Sequence, residues 1–233
     1  LYAAGRTTGL VVDIGESKIQ VVPIYEGFVI SHAVKRLDVG GRDITEFLRR
    51  LLLQRGYKFT GSIERDWVRD IKESLSYVAL DPERELKLAE KVSGLEKFYL
   101  LPYGETITLG PERFLAPEVF FNPSSLGLEA SPIDEIILDA IRNITIDLRR
   151  DLYQNIVLAG GSTLFPGLKE RLNKEITELV PENIEIGVIA SPDRQYSAWL
   201  GGSIVGSLKT FQKMWISKRE YLDEGPQIIH RCN

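Results

Sequence analysis

The sequence predicts an α/β protein. Three observations carry that expectation. Short apolar, β-branched runs, such as Thr7 to Gly15 and Ile156 to Leu158, alternate along the chain with segments of helical period. Several of those runs are almost wholly apolar, as strands are when both faces of a mixed or parallel sheet are covered. Turn residues fall between the segments, and no short repeat, low-complexity tract or flexible linker interrupts them. With 233 residues, 43% hydrophobic and 27% charged, the chain can bury a large core without staples.

The elements follow in order. Leu1-Tyr2-Ala3-Ala4 resembles the end of a helix capped by Gly5, and with no initiator Met the chain is expected to be a fragment. Thr7–Gly15 is a strand, and the alternating stretch Lys18–Gly27 is its hairpin partner. Gly41–Gly56 reads as a helix with Ile44, Phe47, Leu48 and Leu51 on one face and Arg49, Arg50 and Arg55 toward its C-terminal end. Ser62–Leu80 is a second helix, with Ser62 as N-cap and Val68, Ile71, Leu75 and Val78 as its stripe. Lys97–Phe121 gives strand, turn at Pro102-Tyr103-Gly104, strand and short helix. Ser131–Ile144 carries the clearest helix start: Ser131 as cap, Pro132 at the first position, then Asp134 and Glu135. Asn155–Gly161 is a buried strand, Phe165–Ile176 a helix, Ile184–Pro192 another strand, and Ser197–Trp215 a helical pattern opened by small residues.

Composition excludes several function classes. A net charge of −4 gives no basic field for nucleic acid. Cys232 is the only cysteine, so no intrachain disulfide forms, in keeping with a reducing compartment. No apolar run reaches the roughly 18 residues of a membrane span. The first residues lack the charged region and apolar core of a signal peptide.

Three short stretches carry candidate chemistry. A strand that ends in Gly160-Gly161-Ser162-Thr163 before a helix frees backbone amides, and a phosphate or nucleoside can approach glycine closely. The plainer alternative is a tight turn with glycine for packing; neither Walker A nor G-x-G-x-x-G is present. In "VVDIGESKIQ", Asp13 ends an apolar strand and Glu16 follows Gly15 in the turn. Two carboxylates there suit a hydrated divalent cation, or are ordinary turn acids. In "RDIKES", Arg69, Lys72 and Glu73 form a surface ion-pair set or hold a ribose and adenine edge.

Order and company make these weak signals specific. From Leu1 to Arg231 the sequence resembles actin, through "GRTTGLVVDIG", "VPIYEGF", "GGRDITEFL", "RDIKESLSYVALD", "LPYGETITLGPERF", "RRDLYQNIVLAGGSTLFPGLKERLNKEI", "YSAWLGGSI" and "FQKMWISKREY". It resembles a diverged actin or actin-like protein, and "IHRCN" looks like a shortened actin C-terminus. The resemblance implies the actin-like ATPase fold shared with sugar kinases and chaperone ATPases. It further implies one large lobe plus C-terminal helices of the other. Residues 4–39 and 129–196 would form a subdomain with a five-stranded mixed sheet. Residues 40–128 would be an inserted, mostly helical subdomain, and 197–233 helices of the lobe this chain lacks.

The same resemblance implies a nucleotide site for ATP or ADP with Mg²⁺ or Ca²⁺. Gly160, Gly161 and Ser162 look like the loop over the nucleotide, with Leu164 and Phe165 beside the base. Gly15, Glu16, Ser17 and Lys18 look like the second phosphate hairpin. Asp13 would hold the metal through water and act in catalysis with Gln20. Gly41, Arg69, Lys72 and Glu73 would form the ribose and adenine wall, joined by Gln195. Departures accompany this: Glu16 stands for Asp, Ser17 for a glycine whose turn a positive φ would strain, Lys18 for an apolar residue, Gln20 for histidine and Gln195 for lysine. The first phosphate hairpin, the main cation carboxylate and the water-positioning glutamine would precede Leu1. Nucleotide binding by these 233 residues alone is therefore expected to be weak and turnover negligible.

Partner surfaces come by the same route. Tyr2, Ala3, Gly5, Thr7, Gly27, Phe28, Val205, Leu208, Thr210 and Met214 would line a cleft for the next filament subunit or for profilin- or gelsolin-like regulators. Leu126 and Leu128 would form an exposed apolar loop between filament strands. The implied role is a cytoplasmic, cytoskeletal filament subunit. Alternatives are a non-polymerising actin-related scaffold and another enzyme of the superfold; "GGRDITEFL" and "FQKMWISKREY" weigh against the second.

Overall fold

The computed structural model describes residues 1–91, 93–211 and 214–232. A 3-10 turn at Tyr2–Ala4 closes on Gly5, whose φ of 67° is one that glycine adopts without strain. The sheet is built on a hairpin: β1 (Gly9–Ile14) pairs antiparallel with β2 (Ile19–Tyr25), Ile14 lying opposite Ile19. Alternation gives the hairpin two faces. Leu10, Val12, Ile14, Ile19 and Val21 are fully buried, while Val11, Asp13, Gln20 and Val22 are half-buried on the other side.

The outer edge of β2 is occupied twice. β3 (Phe28–Val29) pairs with its end, and β4 (Lys35–Leu37) with its start, both antiparallel. A 3-10 turn at Ser31–Ala33 separates them. The sheet therefore has six strands instead of the expected five, because one position is split between two strands too short to show alternation.

Helices α1 (Gly41–Gln54), α2 (Ser62–Leu75) and α3 (Pro82–Ala89) follow, then the hairpin of β5 (Lys97–Leu100) and β6 (Thr106–Leu109) and the short α4 (Glu112–Leu115). α2 stops at Leu75, five residues before its expected end. Tyr77 N–H instead bonds Arg113 O and Val78 N–H bonds Pro166 O, so tertiary partners replace the last helical turn. Ser62 is the first helical residue and not the cap; Glu64 reaches back to the Gly61 N–H at 2.7 Å and to the Thr60 N–H. α3 is opened by Asp81, whose carboxylate accepts the Arg84 N–H at 2.9 Å, with Pro82 in the first turn.

α5 (Ile133–Arg142) begins one residue later than its sequence signal, with Pro132 as the flanking residue. After α6 (Ile146–Tyr153) comes β7 (Ile156–Ala159), buried along its whole length and parallel to β1. α7 (Leu168–Leu179) leads to β8 (Val188–Ile189), parallel to β7 and much shorter than the apolar run around it. α8 (Ser197–Ser207) packs on the Tyr2–Ala4 turn but has no buried residue, and α9 (Lys218–Glu224) runs into a 3-10 helix at Gly225–Cys232. The helical pattern read over Ser197–Trp215 thus ends at Ser207; Gln212 and Lys213, also within it, lie outside the described residues.

One hydrophobic cluster runs through these elements. It joins Leu10, Val12 and Val21 of the sheet to Ile44 and Leu48 of α1, Val68 and Ile71 of α2, Ile107 of β6 and Ile137 and Leu172 of α5 and α7. Across it, Arg171 of α7 is 7% exposed and holds Glu118 at 3.1 Å, Glu175 at 2.5 Å and the Ala79 carbonyl at 2.8 Å, stacked over Phe121. The carboxyl ends of β1 and β7 finish side by side, with Asp13 opposite Ala159. That juxtaposition positions the site.

Candidate functional site

Four segments meet over Gly41. The Gly15 carbonyl accepts the Gly41 N–H at 3.0 Å and the Ser162 hydroxyl at 2.9 Å, and the Glu16 carbonyl accepts the Arg42 N–H at 2.8 Å. Lys72 of α2, only 4% exposed, donates to the Gly41 carbonyl at 3.1 Å. A Cβ at Gly41 would lie 2.5 Å from Ser162 Oγ, 3.1 Å from Glu16 Oε2 and 3.4 Å from Lys72 Nζ. Glycine is therefore required by close approach: hairpin, α1, α2 and the loop after β7 all converge on its Cα.

Beside this node lies a cavity of about 340 Å³ lined by Glu16, Lys72, Glu73, Gly161, Ser162, Leu164, Phe165 and Gln195. Its floor is apolar at Leu164 and Phe165 and charged at Lys72. Burial pushes the Lys72 amine below its ordinary value, and the carboxylates of Glu16 and Glu73 oppose that shift. A neighbouring cavity of about 380 Å³ on the other side of Glu16 is lined by Arg42, Asp43, Thr45, Glu46, Arg65, Asp66 and Arg69.

The loop after β7 is locked from below. Gly160 has φ 87° and ψ 151°, and a Cβ there would lie 2.4 Å from both Asp13 Oδ1 and the Ile14 carbonyl. The Thr163 hydroxyl, fully buried, donates to the Gly160 carbonyl at 2.7 Å. Arg194 donates to Thr163 Oγ1 at 3.0 Å and to its carbonyl at 2.8 Å, while the Gly160 N–H bonds the Arg194 carbonyl at 3.1 Å. Gly161 and Ser162 open a 3-10 turn, whose first amides have no partner within it. Arg194 is a residue the sequence did not announce. It sits in a Ser/Pro turn 31 positions from its partner, and spacing of that kind leaves no local signal.

Asp13, Gln20 and Lys18 share the half-buried face of the hairpin, Asp13 lying directly opposite Gln20. Burial pushes the Asp13 carboxyl up, and the Lys18 ammonium pulls it the other way. Gly15 N–H bonds the Lys18 carbonyl at 3.0 Å across the Glu16-Ser17 turn. The strain expected at Ser17 is not present: among the described residues Glu26 is the one non-glycine with positive φ. Among the described residues, no three His, Cys, Asp or Glu side chains gather as a metal site.

The structure thus brings Glu16, Lys72, Glu73, Gly161, Ser162, Leu164, Phe165 and Gln195 to one cavity, with Gly15, Gly41 and Gly160 as its backbone. Asp13, Ser17, Lys18 and Gln20 lie on the adjoining hairpin and not in the lining. Arg69 faces the second cavity and pairs with Asp66 at 3.2 Å, not with Glu73.

Away from the cavity, Tyr2 stands between Gly27 and α8. A Cβ at Gly27 would meet Tyr2 Oη at 2.9 Å, and one at Gly201 would meet Tyr2 Cβ at 3.9 Å. Ala3 belongs to the same turn, Phe28 is 79% exposed, and Leu208 and Met214 are exposed nearby in sequence, with Val205 and Thr210 between and beside them. Leu126 and Leu128 are not an exposed pair: Leu126 is half-buried in the Pro123–Leu126 turn and Leu128 alone is exposed. Among the described residues no helix is long and apolar enough to cross a membrane.

A mixed sheet whose parallel strands end at a charged and glycine-walled cleft defines an α/β protein with a candidate site at the strand carboxyl ends. Comparison with known families gives the particular one. The Actin family model matches residues 1–233, and the chain belongs to the actin family.

Proposed function

We propose that this chain is part of a cytoplasmic, cytoskeletal filament subunit that binds ATP or ADP with Mg²⁺ or Ca²⁺, polymerises, and is controlled by profilin- or gelsolin-like regulators. The observation that carries the reading is the convergence of Glu16, Gly41, Lys72 and Ser162 beside the Gly161-walled cavity. The donor set fits a nucleotide. Leu164 and Phe165 offer an apolar surface for a base, Glu73 and Gln195 offer polar edges, and Lys72 offers a desolvated cation. The Gly161 and Ser162 amides have no partner within their 3-10 turn, and the space over Gly161 is open, so an anion has room to approach them.

Bound ATP supplies the phosphoryl group, and a divalent cation screens its charge. Asp13 supplies one carboxylate with the Gln20 amide opposite, which suits a cation held through water and not by direct chelation. Residues 4–39 with 129–196, and 40–128, then form two subdomains of one lobe that together wall one side of the nucleotide. The cleft of Tyr2, Ala3, Gly5, Thr7, Gly27, Phe28, Val205, Leu208, Thr210 and Met214 receives partners. The test is sedimentation of the complete subunit to which this chain belongs, with and without ATP and Mg²⁺. Pelleting that requires both is expected; a soluble species under every condition contradicts filament formation.

A further inference from the structure

The β5–β6 hairpin is a two-stranded sheet with no third strand among the described residues. One side of it rests on α2, where the Tyr99 hydroxyl donates to Asp70. The other side carries Phe98, 71% exposed, and Leu100, 67% exposed.

Hydrogen-bond parity fixes where the backbone points. Leu101 N–H bonds the Glu105 carbonyl at 2.8 Å, so Leu101 and Glu105 are a bonded pair. Thr108 N–H bonds the Tyr57 hydroxyl at 3.1 Å, outside the hairpin, so Phe98 and its partner Thr108 are a non-bonded pair. Alternation then makes Tyr99–Ile107 and Lys97–Leu109 the bonded pairs, and turns the N–H and C=O of both Phe98 and Leu100 outward. Tyr57 covers the free edge of β6. The free edge of β5 presents its outward groups on the same two residues that expose large apolar side chains.

We infer that this edge pairs antiparallel with the β5 edge of a second copy, with Tyr99 on the two-fold axis. The strand is self-complementary in that register. Phe98 faces Leu100 of the second copy and Leu100 faces its Phe98, so each outward N–H finds an outward C=O and each ring lies beside a leucine. The symmetry is that of a closed, isologous contact. Lys97 of one strand falls four positions from Lys97 of the other, about 13 Å at 3.3 Å per residue, which is beyond the ~8 Å screening length of physiological salt. Pro102 has no N–H and stops the ladder, so pairing does not propagate. Two exposed side chains fall far short of the ~800 Å² per partner of a stable interface, so the dimer is weak and concentration-dependent. This contact is independent of the nucleotide reading.

The experiment uses the whole chain without ATP or divalent cation, with Cys232→Ser as background. Sedimentation velocity should show a dimer fraction that rises with concentration. Leu100→Pro removes an outward N–H together with the leucine side chain of the contact, but no hydrogen bond of the β5–β6 ladder, and should raise the dissociation constant at least ten-fold with an unchanged circular dichroism spectrum. Under mild oxidation, Tyr99→Cys should give covalent dimer at least ten times faster than Lys97→Cys, since only position 99 faces itself. Three results overturn the inference: a monomer at several hundred micromolar, association of Leu100→Pro equal to that of the unsubstituted chain, or equal cross-linking at positions 97 and 99. The sedimentation arm stands even if Tyr99→Cys, which loses the Asp70 bond, folds poorly.

Discussion

Gly160 and Gly161 are adjacent and alike in sequence, yet alanine should act on them in opposite ways. At Gly160 the backbone sits at φ 87°, ψ 151°, a region essentially closed to side chains and worth about 1–3 kcal/mol of strain for any other residue. The new Cβ would also lie 2.4 Å from Asp13 Oδ1 and from the Ile14 carbonyl, and the second is backbone that cannot swing away. Forcing that contact costs about another 1–3 kcal/mol. The sum, about 2–6 kcal/mol, is a large share of the 5–15 kcal/mol that holds a typical domain. A chain of 233 residues has an unfolding entropy of about 0.5 kcal/mol per degree at its midpoint, so Gly160→Ala should lower Tm by about 4–12 °C. At Gly161 a Cβ meets nothing within 4 Å, and Gly161→Ala should leave Tm within about 1 °C while projecting a methyl group into the cavity. Calorimetry gives the first quantity, and displacement of a fluorescent ATP analogue gives the second. The reasoning is refuted if Gly160→Ala melts with the wild type, or if Gly161→Ala binds nucleotide normally.

The buried charges give two further expectations. Lys72→Met should keep or slightly raise stability near neutral pH, by up to about 1 kcal/mol, yet weaken ATP binding at least ten-fold; denaturant titration and the displacement assay read the two effects. The sign follows from the depressed amine: its burial costs stability below the folded value, and the cost fades as pH rises toward the ordinary 10.5, so the stability gain of the methionine variant should shrink above neutral pH. Arg171→Met strands Glu118 and Glu175 against each other and should cost about 3–5 kcal/mol at pH 7.5 by denaturant titration, part of which the added Glu118→Gln change restores. Burial already holds the Glu118 and Asp134 carboxyls above their ordinary values, so their favourable contribution is full below the ordinary carboxylate range and lost as pH rises through the raised values. The penalty of Arg171→Met should accordingly be smaller at pH 5 than at pH 7.5.

The hairpin of β1 and β2 and the buried β7 were legible because each carries its signal locally, in alternation or unbroken apolarity, and the proline-acid start of α5 was legible to within one residue, although Ser131 does not cap it. What was not legible depends on partners distant in the chain. The last turn of α2 yields to Arg113 and Pro166, and Leu126 is drawn inward by its own turn. At the site, the glycines and hydroxyls after β7 stood out in the sequence, and the resemblance supplied the company of Lys72 and Gln195. Arg194, which locks Thr163 and Gly160 together, became visible only in three dimensions. Arg69 shows the reach of spacing alone: its four-residue separation from Glu73 allowed an ion pair, but on α2 it pairs with Asp66 and lines the cavity next to the one that holds Glu73.

The central claim is that the cavity between Lys72 and the Gly160–Phe165 loop takes a nucleotide. Amide chemical shifts of the isotopically labelled protein, recorded as ATP and Mg²⁺ are raised to millimolar concentration, test it most directly because they report even weak binding residue by residue. Saturable shifts confined to Gly15–Lys18, Gly41, Lys72–Glu73 and Gly160–Phe165, abolished by Lys72→Met, are the predicted result. Saturation that leaves those amides unmoved, or no shift anywhere at 10 mM ATP (a ceiling of about 10 mM on affinity), contradicts the account.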